Sequence, residues 1–211
     1  MDALSGHDTL IMSAPASADK LICSNVALIL GDNLFYGSGL GKILRKRNNQ
    51  KGATVFAIEV DNPERYGVIE IDSQNKPLSI EEKPKNPKSN LALTGLYFYD
   101  NNVVEISKSI NPSRRGEKEI TAVNNVYLNK NSISVEILPR GMTWIDAGTP
   151  DSIYKAGEFV KIIEERTSRK VACLEEVAFN LGFIDQKEII QSIDRYGDSS
   201  YSKYLEKIVN K

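Results

Sequence analysis

Histidine and cysteine are nearly missing from this 211-residue chain, and each shortage removes a class of chemistry. A single histidine, His7, gives no basis for a histidine-bound metal or a histidine-based catalytic triad. The two cysteines, Cys23 and Cys173, form no spaced pattern and are too few for a disulfide framework or a thiolate zinc site, which fits a reducing cytoplasm. No apolar run reaches the roughly 18 residues of a membrane span, and no basic segment leads into a shorter one as in an export signal. Charge of one sign is lacking too. With 27 basic and 28 acidic side chains the net charge is -1, so no bulk attraction to nucleic acid or to an anionic membrane is expected.

What is present is ordinary for a soluble globular protein, 41% apolar and 26% charged, and long enough to bury a sizeable core. Residues 1–20 are small and polar, with no sustained period, and are left unassigned. Residues 21–150 alternate strands and helices. Val26-Ala27-Leu28-Ile29-Leu30 is unbroken by polar residues and predicts a fully buried parallel strand, closed by Gly31-Asp32-Asn33. Leu40, Ile43 and Leu44 have helical spacing, Thr54–Val60 is β-branched, and Gly67–Ile71 with Leu78–Ile80 predicts a hairpin. Leu93–Tyr99 is a further strand, with Gly95 marking a close approach of backbone or ligand, and Asp100 is expected to cap the helix that follows. Glu119–Lys130 and Ser132–Leu138 predict a helix and a strand. Residues 151–211 form a helical region opened by Thr149 and Pro150, expected to pack on the core or on a subunit.

Asp32 and Asp146 each end an apolar stretch at a turn, the place where ligands meet open α/β sheets. If both reach one crevice, two carboxylates without histidine or cysteine favour a hard cation such as Mg²⁺ shared with substrate phosphates; equally, each aspartate suits a cap or turn. Glu82-Lys83-Pro84 offers an acceptor for sugar hydroxyls beside a cation for phosphate, or belongs to a charged surface loop. Arg114-Arg115 can clamp a phosphate or sit solvated, and Trp144 can stack on a ligand or fill the core.

Six stretches in order, Leu30–Gly37, Asn62–Val68, Glu82–Pro84, Thr94–Asp100, Arg115–Glu117 and Trp144–Thr149, resemble the successive motifs of bacterial glucose-1-phosphate thymidylyltransferases. Glu175–Phe179 and Gly182–Asp185 resemble that family's C-terminal region. The resemblance implies an α/β fold built on a nucleotidyltransferase-like, doubly wound mixed sheet. It also implies an enzyme that makes dTDP-glucose and pyrophosphate from dTTP and glucose 1-phosphate with Mg²⁺, for dTDP-rhamnose-type deoxysugar synthesis. By position it makes Asp32 and Asp146 metal ligands and Asn33, Gly67, Glu82, Lys83 and Leu93 substrate contacts, with Lys83 catalytic alongside the two aspartates. Tyr97, Arg115 and Trp144 match further substrate contacts. It implies a homo-oligomer or assembly with a full-length paralogue.

Two features depart from the family pattern. The Gly-rich triphosphate loop that precedes the family's first motif has no match in residues 1–20, and Ala122 stands where an aspartate is usual. The expected consequence is a sheet missing its N-terminal part and a chain inactive or nearly so alone, a non-catalytic sugar-phosphate-binding remnant being the alternative. Such a sheet exposes strand edges. The purified chain is therefore expected to run as an associated species on size exclusion; a sharp monomeric peak with one cooperative unfolding transition would contradict this.

Overall fold

The structure is a computed structural model and describes residues 25–47, 51–113, 116 and 118–210. The expectations for residues 1–20, Cys23, Arg114 and Arg115 lie outside the described residues. The chain divides into two compact units, one ending at Gly148 and the other beginning at Thr149.

In the first unit the elements are β1 (Val26–Ile29), β2 (Asn33–Tyr36), α1 (Leu40–Lys46), β3 (Ala53–Glu59), a 3-10 turn at Pro63–Arg65, β4 (Gly67–Ile71), β5 (Pro77–Glu82), β6 (Leu91–Tyr99), α2 (Val103–Ser109), α3 (Ile120–Asn129), β7 (Ile133–Ile137) and β8 (Thr143–Asp146). The strands β5, β4, β6, β3 and β7 lie side by side in that order, and β1 joins through β6. Among the described pairings only β3 with β7 is parallel, so the sheet is mixed. A separate antiparallel ribbon is made by β2 and β8.

The apolar run Val26–Leu30 departs from expectation. It pairs antiparallel with β6, and its surface is only half covered: Leu28 is buried while Ile29 is 51% exposed. An apolar run encodes a strand but not the direction of its partner. β6 is nine residues long and β4 bridges it only at Ala92, which leaves the Leu96–Tyr99 edge for β1.

Side-chain alternation along the central strands sorts the core into two layers. Val55 and Ala57 of β3 and Leu93, Tyr97 and Tyr99 of β6 pack with Val103 and Ile106 of α2 and with Ile120, Val123 and Tyr127 of α3. Phe56, Leu96 and Phe98 point the other way, onto Leu138, Met142 and the helical stripe Leu40, Ile43 and Leu44 of α1. Helices thus cover both faces of the sheet, as in a doubly wound fold.

Asp100 follows β6 but does not occupy the cap position of α2, which is Asn102. Its carboxylate instead accepts from the Gly52 amide at 2.9 Å, the Asn102 amide at 3.1 Å and the Tyr127 hydroxyl at 2.8 Å. With the Asn102 side-chain amide at 3.0 Å, four donors explain the choice, since a cap would satisfy only one or two. Tyr127 in turn stacks on Tyr99, whose ring stacks on Tyr97, so one column of aromatic rings ties α3 to the sheet.

The second unit contains α4 (Pro150–Thr167), α5 (Leu174–Asn180), α6 (Gln186–Tyr196) and α7 (Ser200–Val209). Thr149 and Ser152 form a capping box that starts α4 with Pro150 in its first turn, and Asp185 with Glu188 does the same for α6. Cys173, Ile189 and Leu205 make a small core with Phe179, Ile184, Ile193 and Tyr201 around it. The first turn of α5 carries two carboxylates that accept from phenols: Glu175 from Tyr196 at 2.8 Å and Tyr201 at 2.5 Å, Glu176 from Tyr204 at 2.5 Å. Burial and the facing Glu176 push the Tyr204 phenol up to about 12. Among the described residues no helix is long and apolar enough to cross a membrane.

Burial alone would raise the Asp100 carboxyl, but its Tyr127, Gly52 and Asn102 donors hold it below the usual 3.8. A carboxylate depressed on folding adds stability above its unfolded value and loses it as pH falls through the folded one. Tyr127→Phe is therefore expected to cost about 1–2 kcal/mol at pH 7. That difference should shrink as pH falls below the ordinary carboxylate value, measured by urea denaturation of both proteins across pH.

Candidate active site

The ribbon β2–β8 brings the two distant aspartates together. Asn33 faces Asp146 across it, and the Ala147 amide donates to the Asp32 carbonyl at 2.8 Å. Asp32 and Asp146 thus occupy neighbouring backbone positions at one end of the ribbon. One oxygen of Asp146 accepts from the Gly148 amide at 3.0 Å, which closes the turn after β8. The donor set is two carboxylates in a polar turn, suited to a hard cation that keeps further sites for water and phosphate oxygens. Among the described residues no group of three or more histidine, cysteine, aspartate or glutamate side chains is gathered at one point.

Asn33 is the centre of this corner. Its carbonyl oxygen accepts from the Gly95 amide of β6 at 3.0 Å and from the Trp144 indole nitrogen at 2.5 Å, while its amide nitrogen donates to Asp32 Oδ1 at 2.7 Å. Two donors converging on one end of the amide decide which way it faces, and so aim its NH₂ at the Asp32 carboxylate. Gly95 is required by contact rather than by torsion: a Cβ there would lie 2.6 Å from the Asn33 side chain. Trp144 also meets Tyr66 edge-on, with ring centroids 5.0 Å apart.

Tyr66 leads to the second part of the site. Its carbonyl accepts from the Lys83 amide at 3.0 Å, at the point where β5 ends and Lys83 takes a left-handed φ of 42°. A lysine in that conformation is strained, a condition that persists where surrounding structure imposes it. Lys83 Nζ stands 4.0 Å from Glu82 Oε1. Across the hairpin Glu82 is paired with Gly67. A Cβ on Gly67 would sit 3.5 Å from Glu82 Oε2, Leu93 Cδ1 and Thr121 Oγ1 alike, so the missing side chain leaves a small concavity walled by these three residues.

Gly67, Glu82, Lys83 and Leu93 are therefore assembled in one place, and Asp32, Asn33, Trp144 and Asp146 in another, with the Tyr66 ring and carbonyl touching both. Tyr97 stands in neither: it is 3% exposed and stacked in the core. Arg115 lies outside the described residues. Thr121 belongs to the concavity, although nothing in its local sequence marks it; only the helical period placing it one turn before Asn125, on the side of α3 that meets β5, points there.

Comparison with known proteins shows the family to which the chain belongs. Residues 11–162 match the profile of the family described as nucleotidyl transferase. A glucose-1-phosphate thymidylyltransferase of Mycolicibacterium smegmatis is 47% identical over 92% of this chain and 67% of its own length. The enzyme of that name from Mycobacterium tuberculosis is 46% identical over 94% of the chain and 69% of its own length. Among solved structures, a Bacillus anthracis protein titled as a glucose-1-phosphate thymidylyltransferase in complex with a sucrose superposes with a TM-score of 0.62 at 36% identity, covering 75% of this chain and 62% of that one. A UDP-glucose pyrophosphorylase in its apo form, 22% identical with a TM-score of 0.58, shares the fold.

The crowding at Gly95 sets a prediction. Asn33 is held at both ends of its amide and cannot swing aside freely, so Gly95→Ala should destabilise the first unit by about 1–3 kcal/mol. A lowered urea midpoint with an unchanged slope is the expected result.

Proposed function

Because the chain belongs to the nucleotidyl transferase family, with glucose-1-phosphate thymidylyltransferases as its relatives, we propose that it serves the transfer of a thymidylyl group from dTTP to glucose 1-phosphate. The observation that carries this reading is the meeting of Asp32 and Asp146 at one end of the ribbon, linked through Trp144 and Tyr66 to the Glu82–Lys83 turn.

In the reaction a phosphate oxygen of glucose 1-phosphate bonds to the α-phosphorus of dTTP. The bond from that phosphorus to the bridging oxygen breaks, and pyrophosphate leaves with the electron pair. Both reactants are anions, so holding them in line and offsetting their repulsion is most of the protein's task. Asp32 and Asp146 are the residues that would hold Mg²⁺, which when bound supplies positive charge to the phosphates. Lys83, whose Nζ stands beside Glu82, adds a second positive charge. Glu82 accepts from sugar hydroxyls in the concavity that Gly67 leaves open and Leu93 floors. Asn33 and Trp144 border the phosphate end, next to Asp32. The product, dTDP-glucose, would feed dTDP-rhamnose-type deoxysugar synthesis in the cytoplasm, with the protein working as a homo-oligomer or beside a longer paralogue.

The test is formation of dTDP-glucose from glucose 1-phosphate, dTTP and Mg²⁺. Whatever turnover is measured should vanish in Asp32→Asn and fall about 100-fold or more in Lys83→Ala. Product that persists in Asp32→Asn would place the chemistry elsewhere.

A further inference from the structure

Thr121 is 5% exposed and lies in the first turn of α3. Its hydroxyl donates to Glu82 Oε2 at 2.5 Å, from a helix to the last residue of a strand 39 positions earlier. A carboxylate only accepts, so the direction of this bond is unambiguous. Four residues along the same helix, the Asn125 side-chain amide donates to the Ile80 carbonyl at 3.2 Å. The pair Thr121 and Asn125 thus meets the pair Glu82 and Ile80, one helix face against alternate residues of one strand. The helix itself is anchored by Ile120, Val123 and Tyr127 in the core, which makes it a fixed platform rather than a flexible neighbour.

We propose that Thr121 is a positioning residue for sugar recognition: it pins one oxygen of Glu82 and leaves the other, beside Lys83 Nζ, to accept from a substrate hydroxyl. This rests on the reading of Glu82 as a sugar contact. A free glutamate samples several rotamers, and ordering it on binding would cost affinity. Thr121 orders it beforehand. Because Thr121 is shielded from solvent, water does not replace its hydroxyl when it is removed, and the carboxylate is released. Thr121 Oγ1 also lies at the Gly67 concavity, so the hydroxyl that holds Glu82 stands at the wall of that concavity.

The experiment measures binding of glucose 1-phosphate and, separately, of inorganic phosphate, by calorimetry at one fixed Mg²⁺ concentration. Thr121→Val, which keeps the shape and removes the donor, should weaken glucose 1-phosphate about tenfold and leave inorganic phosphate unchanged. Thr121→Ser, which keeps the donor, should bind both like the parent. Glu82→Gln tests the underlying reading. If Glu82→Gln loses glucose 1-phosphate and Thr121→Val does not, the positioning role is overturned and the sugar contact stands. If Glu82→Gln binds as the parent does, or the parent does not bind, the sugar reading falls and the proposal with it. A loss in Thr121→Val that extends equally to inorganic phosphate, or that Thr121→Ser shares, marks a structural effect and overturns the proposal. Should Thr121→Val fail to fold, Thr121→Ala, which favours the helix, makes the same comparison.

Discussion

The amide of Asn33 holds three separate segments in one arrangement. It joins the start of β2 to the middle of β6 through Gly95, to β8 through Trp144, and to the Asp32 carboxylate through its own nitrogen. A two-stranded ribbon is marginal by itself and needs a surface to rest on. Here the ribbon rests on that surface partly through a side chain that fits only because β6 has no Cβ at Gly95. The position of Asp32 relative to the sheet follows from this contact, and Asp146 follows from the register of the ribbon. The sugar-side residues are set differently, by hairpin register at Gly67 and Glu82 and by the strained turn at Lys83.

Local patterns carried much of this architecture. The hairpin of β4 and β5, the strand β6, the helix α3 and the capped start of α4 lie within a few residues of where turn chemistry and periodicity put them, because each depends on neighbours in the chain. What depended on distant partners was not legible. Val26–Leu30 predicted a buried parallel strand and forms a half-exposed antiparallel one, since an apolar run does not name its partner. Asp100 suggested a cap and became an acceptor for Tyr127, 27 positions away.

The site shows the same division. Asp32, Asn33, Glu82, Lys83 and Trp144 stand out through motifs, but their relations do not. Resemblance assigns Asn33 and Trp144 to substrate, whereas in the structure each is engaged with the other. Thr121 carries no local signal, because a threonine in a helix has many ordinary explanations and its carboxylate partner lies on another element. Tyr97 carries a motif position yet faces the core, where its ring continues a stack rather than meeting solvent.

Trp144 is the chain's single tryptophan, and its indole nitrogen reaches the Asp32 carboxylate through one intervening amide. Indole emission responds to the charge and hydrogen bonding at that nitrogen. The protein therefore contains an optical probe two hydrogen bonds from the aspartate assigned to metal, with no second indole to obscure it. Its fluorescence reports the state of that corner directly, and so separates events at the ribbon from events in the helical unit, which has tyrosines but no tryptophan.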